Sequence, residues 1–140
     1  NLFAAVFGLL LLPLLARITN RKITHSIALV VGGLGLASIL ILQNPHHMIF
    51  SMIGIGLAWA SILAMPYAIL TGSLPSHKMG VYMGIFNFFI VIPQILAATI
   101  LGFMVKSLFG GDSIYALLTG GISMLVAAVL ILFVKDVYQK

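Results

Sequence analysis

The sequence predicts an all-α integral membrane protein with about five transmembrane helices, and three observations support this fold class. Apolar residues make up 62% of the 140 residues and charged residues only 6%, whereas a soluble domain carries about 25% charged residues. The mean hydropathy is +1.25. The apolar residues form long runs, and a helix needs roughly 20 of them to cross the hydrocarbon core. We expect helices because a backbone in lipid must satisfy its own hydrogen bonds.

Five apolar segments follow one another and together fill residues 1–140 as a single membrane domain. The breaks between them contain polar residues, Gly or Pro, as turns require. The first segment is slightly short, and the sequence starts inside it without an initiator Met, so we expect upstream residues to be missing. The segments are predicted at residues 2–16, 24–42, 48–71, 81–106 and 113–134.

The basic residues predict the orientation of the chain. Because loops alternate between the two sides of the membrane, six basic residues fall on one side and only Lys106 on the other. The positive-inside rule makes the first side cytoplasmic and places the C-terminus there. The net charge of +5 therefore indicates topology in a lipid bilayer, and no nucleic-acid partner is expected. The six residues are Arg17, Arg21, Lys22, Lys78, Lys135 and Lys140.

Two amides in the fourth segment are the first candidates for a site. Asn87 and Gln94 are seven residues apart, so on an α-helix they lie about 20° apart on one face. A buried amide is costly in hydrocarbon unless it is hydrogen-bonded, and an amide can both donate to and accept from a solute hydroxyl. Two interpretations stay open: contact with a solute, or hydrogen bonding between helices.

Aromatic residues and prolines add further candidates. Trp59 and Tyr67 are eight residues apart, about 80° around the helix, so they either flank one face of a cavity or face lipid and neighbouring helices. Pro66 and Pro93 each remove a backbone donor and are expected to bend their helices. A GxxxG pattern at residues 80–84 is expected to be a helix-packing contact.

Other chemistry has little support in the sequence. The adjacent His46 and His47 point apart on any helix, so no metal site is expected, and no Ser-His-Asp set, phosphate loop or carboxylate pair indicates an enzyme. His25 is expected to be a solvated loop residue. The hydroxyls of Ser51, Ser61 and Thr71 are expected to bond their own backbone carbonyls.

Residues 77–95 carry the strongest resemblance to a known family. Their sequence, HKMGVYMGIFNFFIVIPQI, resembles the eleventh helix of sucrose- and maltose-type sugar–cation symporters of the major facilitator superfamily. Residues 58–67 are similar to the tenth helix, and residues 110–115 resemble the loop that enters the twelfth. Residues 15–22 align with the L-A-D-R-x-G-R-K loop of the superfamily.

That loop departs from the family pattern at several positions. Arg17 stands in the acidic position, and Asn20 stands in the Gly position, where Asn tolerates a left-handed turn. Loss of the acid argues against a gating role for this loop. We expect a plain cytoplasmic loop that contains Arg17, Arg21 and Lys22.

The resemblance implies that the chain is the C-terminal part, helices eight to twelve, of a twelve-helix transporter of the bacterial inner membrane. It implies uptake of a sucrose- or maltose-like disaccharide by proton symport with alternating access. The expected partners are the sugar and the missing N-terminal half. The pathway residues would be Asn87, Gln94, Tyr67 and Trp59.

Coupling must then be sought elsewhere, because no acidic residue lies in the core of any segment. The site for a coupling proton or sodium ion is therefore expected in the missing half, and no other cofactor is expected. Two alternatives remain. One is a facilitator-superfamily transporter of another small solute, and the other is a membrane anchor or assembly subunit that transports nothing.

Overall fold

The computed structural model describes residues 2–42 and 44–135, and these residues are helical apart from short turns. Five helices follow one another in the order of the five apolar segments. Short 3₁₀ turns at Ser76–Lys78 and Ile131–Phe133 flank the last two. The helices are α1 (Leu2–Ile18, with a π-helical stretch at Phe7–Leu11), α2 (Arg21–Ser38), α3 (Met48–Ser73), α4 (Met79–Ser107) and α5 (Ile114–Leu130).

Three of these helices are long and apolar enough to cross a membrane: α3, α4 with its preceding turn, and α5 with its following turn. α1 is apolar but shorter. α2 starts with two basic residues and buries seven of its 18 residues. Three candidate spans therefore support a membrane protein, whereas the predicted total of about five spans and the twelve-helix fold stay predictions.

The turns between helices follow from local chemistry. Asn20 begins α2 as an N-cap, since its side-chain oxygen accepts the Ile23 backbone N–H at 2.8 Å. Its φ of −157° is extended, so the expected left-handed turn at this position is wrong. Asn fits here because it is a strong capping residue. The true left-handed turn residues are Gly110 and Gly111, with φ of 62° and 90°, between α4 and α5.

The core of the molecule lies around α2, which packs against both α3 and α5, while α1 covers another side of α3. Close approach depends on glycine. A Cβ at Gly33 would lie 2.8 Å from the carbonyl oxygen of Gly121, and a Cβ at Gly35 would lie 2.9 Å from that of Ser51. Small residues that let helices approach are typical of membrane bundles.

α4 differs from the other long helices. None of its 29 residues is buried by the rest of the described chain. Its large apolar side chains are widely exposed, for example Phe89 at 74% and Phe103 at 67%. The helix that carries Asn87 and Gln94 therefore leaves most of its surface to lipid or to other protein.

Candidate functional site

A hydrogen bond between α3 and α4 forms the centre of the candidate site. The Tyr67 hydroxyl donates to Oδ1 of Asn87 at 2.8 Å. The Tyr67 ring also meets Phe86 edge-on, with ring centroids 5.2 Å apart and planes at 83°, a favourable aromatic geometry. Tyr67 and Asn87, which the sequence nominated separately, are thus brought together.

The pair lies inside the helices rather than at their ends. Tyr67 is six residues before the end of α3 at Ser73, and Asn87 is eight residues after the start of α4 at Met79. At 1.5 Å per residue, these separations place the pair roughly 9 to 12 Å from the end of the bundle that carries Lys78. Polar side chains at this depth need an explanation, since water is scarce in hydrocarbon.

Asn87 is exposed, and it lines a cleft of about 140 Å³. Gly84, Phe88 and Val91 line the rest of this cleft. Gln94 is also exposed, two turns beyond Asn87 along α4. Because positions 84, 87, 91 and 94 recur every three or four residues, they follow one face of the helix.

Trp59 lines a cleft away from the Tyr67–Asn87 pair. It is 50% exposed and borders a space of about 210 Å³ between α1 and α3, together with Phe3, Met52 and Gly56. Tyr67 is not among the residues that line this cleft, and a transport cavity flanked by both residues stays a prediction. Eight residues separate them by about 12 Å along the axis, and different helices pack against the two positions.

Pro66 and Pro93 lie inside α3 and α4, and both helices continue through them. Pro66 directly precedes Tyr67 and lines a groove toward α5. Pro93 is exposed beside Gln94. Each proline sits next to a candidate pathway residue, and a bending role for the two stays a prediction.

The three basic residues expected in a cytoplasmic loop belong to helices instead. Arg17 lies in the last turn of α1, and Arg21 and Lys22 form the first turn of α2. The cap at Asn20 starts α2 earlier than hydropathy suggests, so the loop shrinks to two residues, 19–20.

Two of these basic side chains cross to neighbouring helices. Arg21 donates to the carbonyl of Ala68 at 2.7 Å. Lys22 donates to the carbonyls of Leu132 and Val134 at 3.2 and 2.8 Å. Cations near the C-terminal ends of helices are favourable, so these contacts hold the ends of α3 and α5 against the start of α2.

A buried polar pair that the sequence does not predict lies between α2 and α3. His25 is 6% exposed and Ser61 is fully buried, and Nδ1 of His25 lies 2.8 Å from the Ser61 hydroxyl. The expectation of a solvated His25 is wrong, because α2 already includes this residue. Ser51 likewise pairs with Ser38 across helices at 2.7 Å, so neither serine behaves as expected. Small polar residues at matching depths in adjacent segments were the available signal.

The GxxxG pattern also has another role than expected. No atom of the described residues lies within 4 Å of a Cβ built on Gly80 or Gly84. The expected packing contact is therefore wrong within this chain, and Gly84 instead borders the cleft at Asn87. The glycines that pack closely lie in α2, α3 and α5.

The site is neutral in chemistry. Among the described residues, no group of three His, Asp or Glu side chains is placed to hold a metal ion. The Tyr67–Asn87 pair offers a phenol and an amide, which exchange hydrogen bonds with neutral polar groups.

No protein family, curated protein or solved structure matches the chain.

Proposed function

We propose that the chain forms one wall of the solute pathway in a membrane transporter, with Tyr67 and Asn87 in contact with the solute. The observation that carries this proposal is the exposed Tyr67–Asn87 hydrogen bond between two helices of spanning length. Further helices of the same protein would complete the cavity and cover α4, which is unburied in the described chain.

The hydrogen-bonding capacity of Asn87 supports contact with a solute. Its side-chain oxygen accepts the Tyr67 hydroxyl, while an amide has a second lone pair and two N–H donors besides. A pair that served only to join α3 and α4 would be best buried between them, since exposed polar groups are costly in lipid. Exposure of Asn87 leaves the remaining donors and acceptor accessible to a solute at the surface of α4.

Sugar is the proposed cargo. A disaccharide carries many hydroxyls, each both donor and acceptor, and the amides of Asn87 and Gln94 match that chemistry. The resemblance of residues 58–67 and 77–95 to sucrose- and maltose-type symporters points to the same class. Proton-coupled uptake across a bacterial inner membrane, by alternating access and with the coupling site in other helices, completes the proposal.

The decisive experiment is uptake of radiolabelled sucrose and maltose into proteoliposomes that contain the full-length protein in which this chain occurs. We expect accumulation when an inward proton gradient is imposed and little without it. A failure to accumulate any disaccharide under either condition would reject sugar transport. Accumulation driven equally well by a sodium gradient would reject proton coupling.

The site is tested by variants in the same assay. We expect Asn87→Ala and Gln94→Ala each to lower uptake roughly 3- to 10-fold, the effect of one hydrogen bond of about 1 kcal/mol. Thr99→Ala is the matched control, because Thr99 is exposed on the same helix but bonds the carbonyl of Ile95. If the Asn87 and Gln94 variants transport as well as the Thr99 variant, these amides do not contact the solute.

A second candidate function is an assembly subunit, and the unburied surface of α4 favours it. In that case α4 would pack on a different protein, and the Tyr67–Asn87 bond would only join two helices. Extraction from the membrane in mild detergent distinguishes an assembly subunit from a transporter. A stable complex with a second polypeptide, combined with no solute uptake, supports assembly over transport.

A further inference from the structure

A second groove lies near the end of the bundle that carries Lys22, Lys78 and Lys135. It is separate from the cleft at Asn87. It has a volume of about 330 Å³ and opens between α3, α4 and the end of α5. Its walls are apolar, with one hydroxyl and one ammonium group at Ser73 and Lys135. The apolar lining residues are Pro66, Ile69, Leu70, Phe86, Ile131 and Val134.

The positive charge around this groove is concentrated at its mouth. Lys135 lines it directly and is exposed. Lys22 is held beside it, because its Nζ lies 2.8 Å from the carbonyl oxygen of Val134, itself a lining residue. An ammonium has three N–H donors, so Lys22 can bond both carbonyls and still donate to an anion.

No acidic side chain is among the described residues that line the groove. Asp136 follows Lys135 in the sequence and lies outside the described residues. Ser73 already donates to the carbonyl of Ile69 at 3.4 Å. The groove thus combines an apolar slot with two ammonium groups at one end.

We propose that this groove binds an anionic phospholipid, with an acyl chain along Phe86 and Ile131 and the phosphate at Lys135 and Lys22. Charge complementarity selects the occupant: an apolar helix would fill the slot but leave the lysines without anions. Basic residues at a membrane surface attract anionic lipids, by about fivefold in affinity per Lys. The site is independent of any solute transport, so it stands or falls separately from the proposed function.

Tryptophan quenching by brominated lipids tests the proposal in the intact chain. The chain has one Trp, Trp59, which borders the other side of α3 away from this groove. A groove reporter is made by combining Trp59→Phe with Phe86→Trp. The reporter and the unaltered protein are placed in phosphatidylcholine vesicles, and quenching is compared between brominated phosphatidylglycerol and brominated phosphatidylcholine at equal mole fraction.

We expect the groove reporter to show a preference for phosphatidylglycerol of about 25-fold, about fivefold for each of the two lysines. Trp59 in the unaltered protein should show little preference. Adding Lys135→Gln to the reporter should reduce the preference about fivefold, whereas Lys106→Gln, at the opposite end of α4, should leave it unchanged. Lys22→Gln gives a second measurement if the Lys135 variant is poorly produced.

Three results would overturn the proposal. Equal quenching by the two lipids at the groove reporter would show that no anionic headgroup is selected. Absence of quenching by either lipid would show that protein covers the groove. An unchanged preference in both lysine variants would show that the selectivity arises elsewhere.

Discussion

One methyl group added at Gly33 should loosen the packing of α2 on α5, because two backbones meet there. A Cβ at Gly33 would lie 2.8 Å from the carbonyl oxygen of Gly121 and 3.0 Å from Cγ of Leu125. The contact is reciprocal, since a Cβ at Gly121 would lie 2.8 Å from the carbonyl oxygen of Gly33. Backbone atoms cannot rotate away, so the two helices must separate.

The magnitude follows from two opposing effects. Overpacking a tight site costs about 1 to 3 kcal/mol, and a clash with backbone belongs at the upper end of that range. Replacement of a mid-helix Gly by Ala returns up to about 1 kcal/mol through helix propensity. We therefore expect Gly33→Ala to lower the free energy of unfolding by about 2 kcal/mol, roughly a 30-fold change in the folding equilibrium.

Reversible unfolding in mixed micelles measures this change, with sodium dodecyl sulfate as denaturant and Trp59 fluorescence as the signal. Gly84→Ala is the matched control, because a Cβ there meets no described atom within 4 Å. This control should unfold at the same denaturant fraction as the original chain, or slightly above it. Equal stability of the Gly33 and Gly84 variants would refute the close approach of α2 and α5.

The double variant sharpens the same test. If Gly33→Ala already pushes the helices apart, Gly121→Ala adds less than it does alone, since the two substitutions meet at one contact. If the two sites were independent, the double variant would instead lose about 4 kcal/mol of unfolding free energy, about 2 kcal/mol for each substitution. Full additivity would show that the two glycines do not face each other.

Three further predictions address the cap, the buried pair and the orientation. Asn20→Ala should lower the free energy of unfolding by about 1 kcal/mol through loss of the α2 cap, measured by the same titration. Ser61→Ala should lower it by about 1 to 3 kcal/mol by leaving buried His25 without its partner, and a double-mutant cycle with His25→Ala should show coupling. The chain has no Cys, so an introduced Cys is its only target for a maleimide. Asp112→Cys should react with an impermeant maleimide outside the cell, and Ser76→Cys should react only after permeabilisation. The reverse pattern would show that the predicted topology is inverted.

Hydropathy predicted where the helices lie, because the lipid requirement acts on long stretches and averages over single residues. It placed α3 and α4 well, as predicted segments 48–71 and 81–106 became Met48–Ser73 and Met79–Ser107. It failed at the start of α2, where Arg21 and Lys22 looked like loop residues. Their charges are accommodated by carbonyl groups of other helices, and such contacts between distant segments leave no local signal.

Helix spacing predicted the shared face of Asn87 and Gln94, since that geometry is local to one helix. The contact of Asn87 with Tyr67 depends on how α3 and α4 cross, so the sequence nominated both residues without pairing them. The same limit applies to Trp59. The spacing gives the angle between Trp59 and Tyr67 around one helix. Which cleft each side chain borders depends on the neighbouring helix that packs at its position.

The two candidate amides, Asn87 and Gln94, lie on a helix that contributes no buried residue, which makes them open to experiment. The buried side chains and the tight glycine contacts described above belong to α1, α2, α3 and α5, whereas α4 contributes no buried residue. Substitution of Gln94 should therefore leave the unfolding transition of this chain almost unchanged, whereas the result for Asn87 depends on the role of its hydrogen bond to Tyr67. A solute-contact role predicts loss of uptake with no loss of stability, and a purely helix-joining role of Asn87 predicts the reverse. Measuring both quantities on one Asn87→Ala preparation consequently separates the two interpretations that the sequence alone left open.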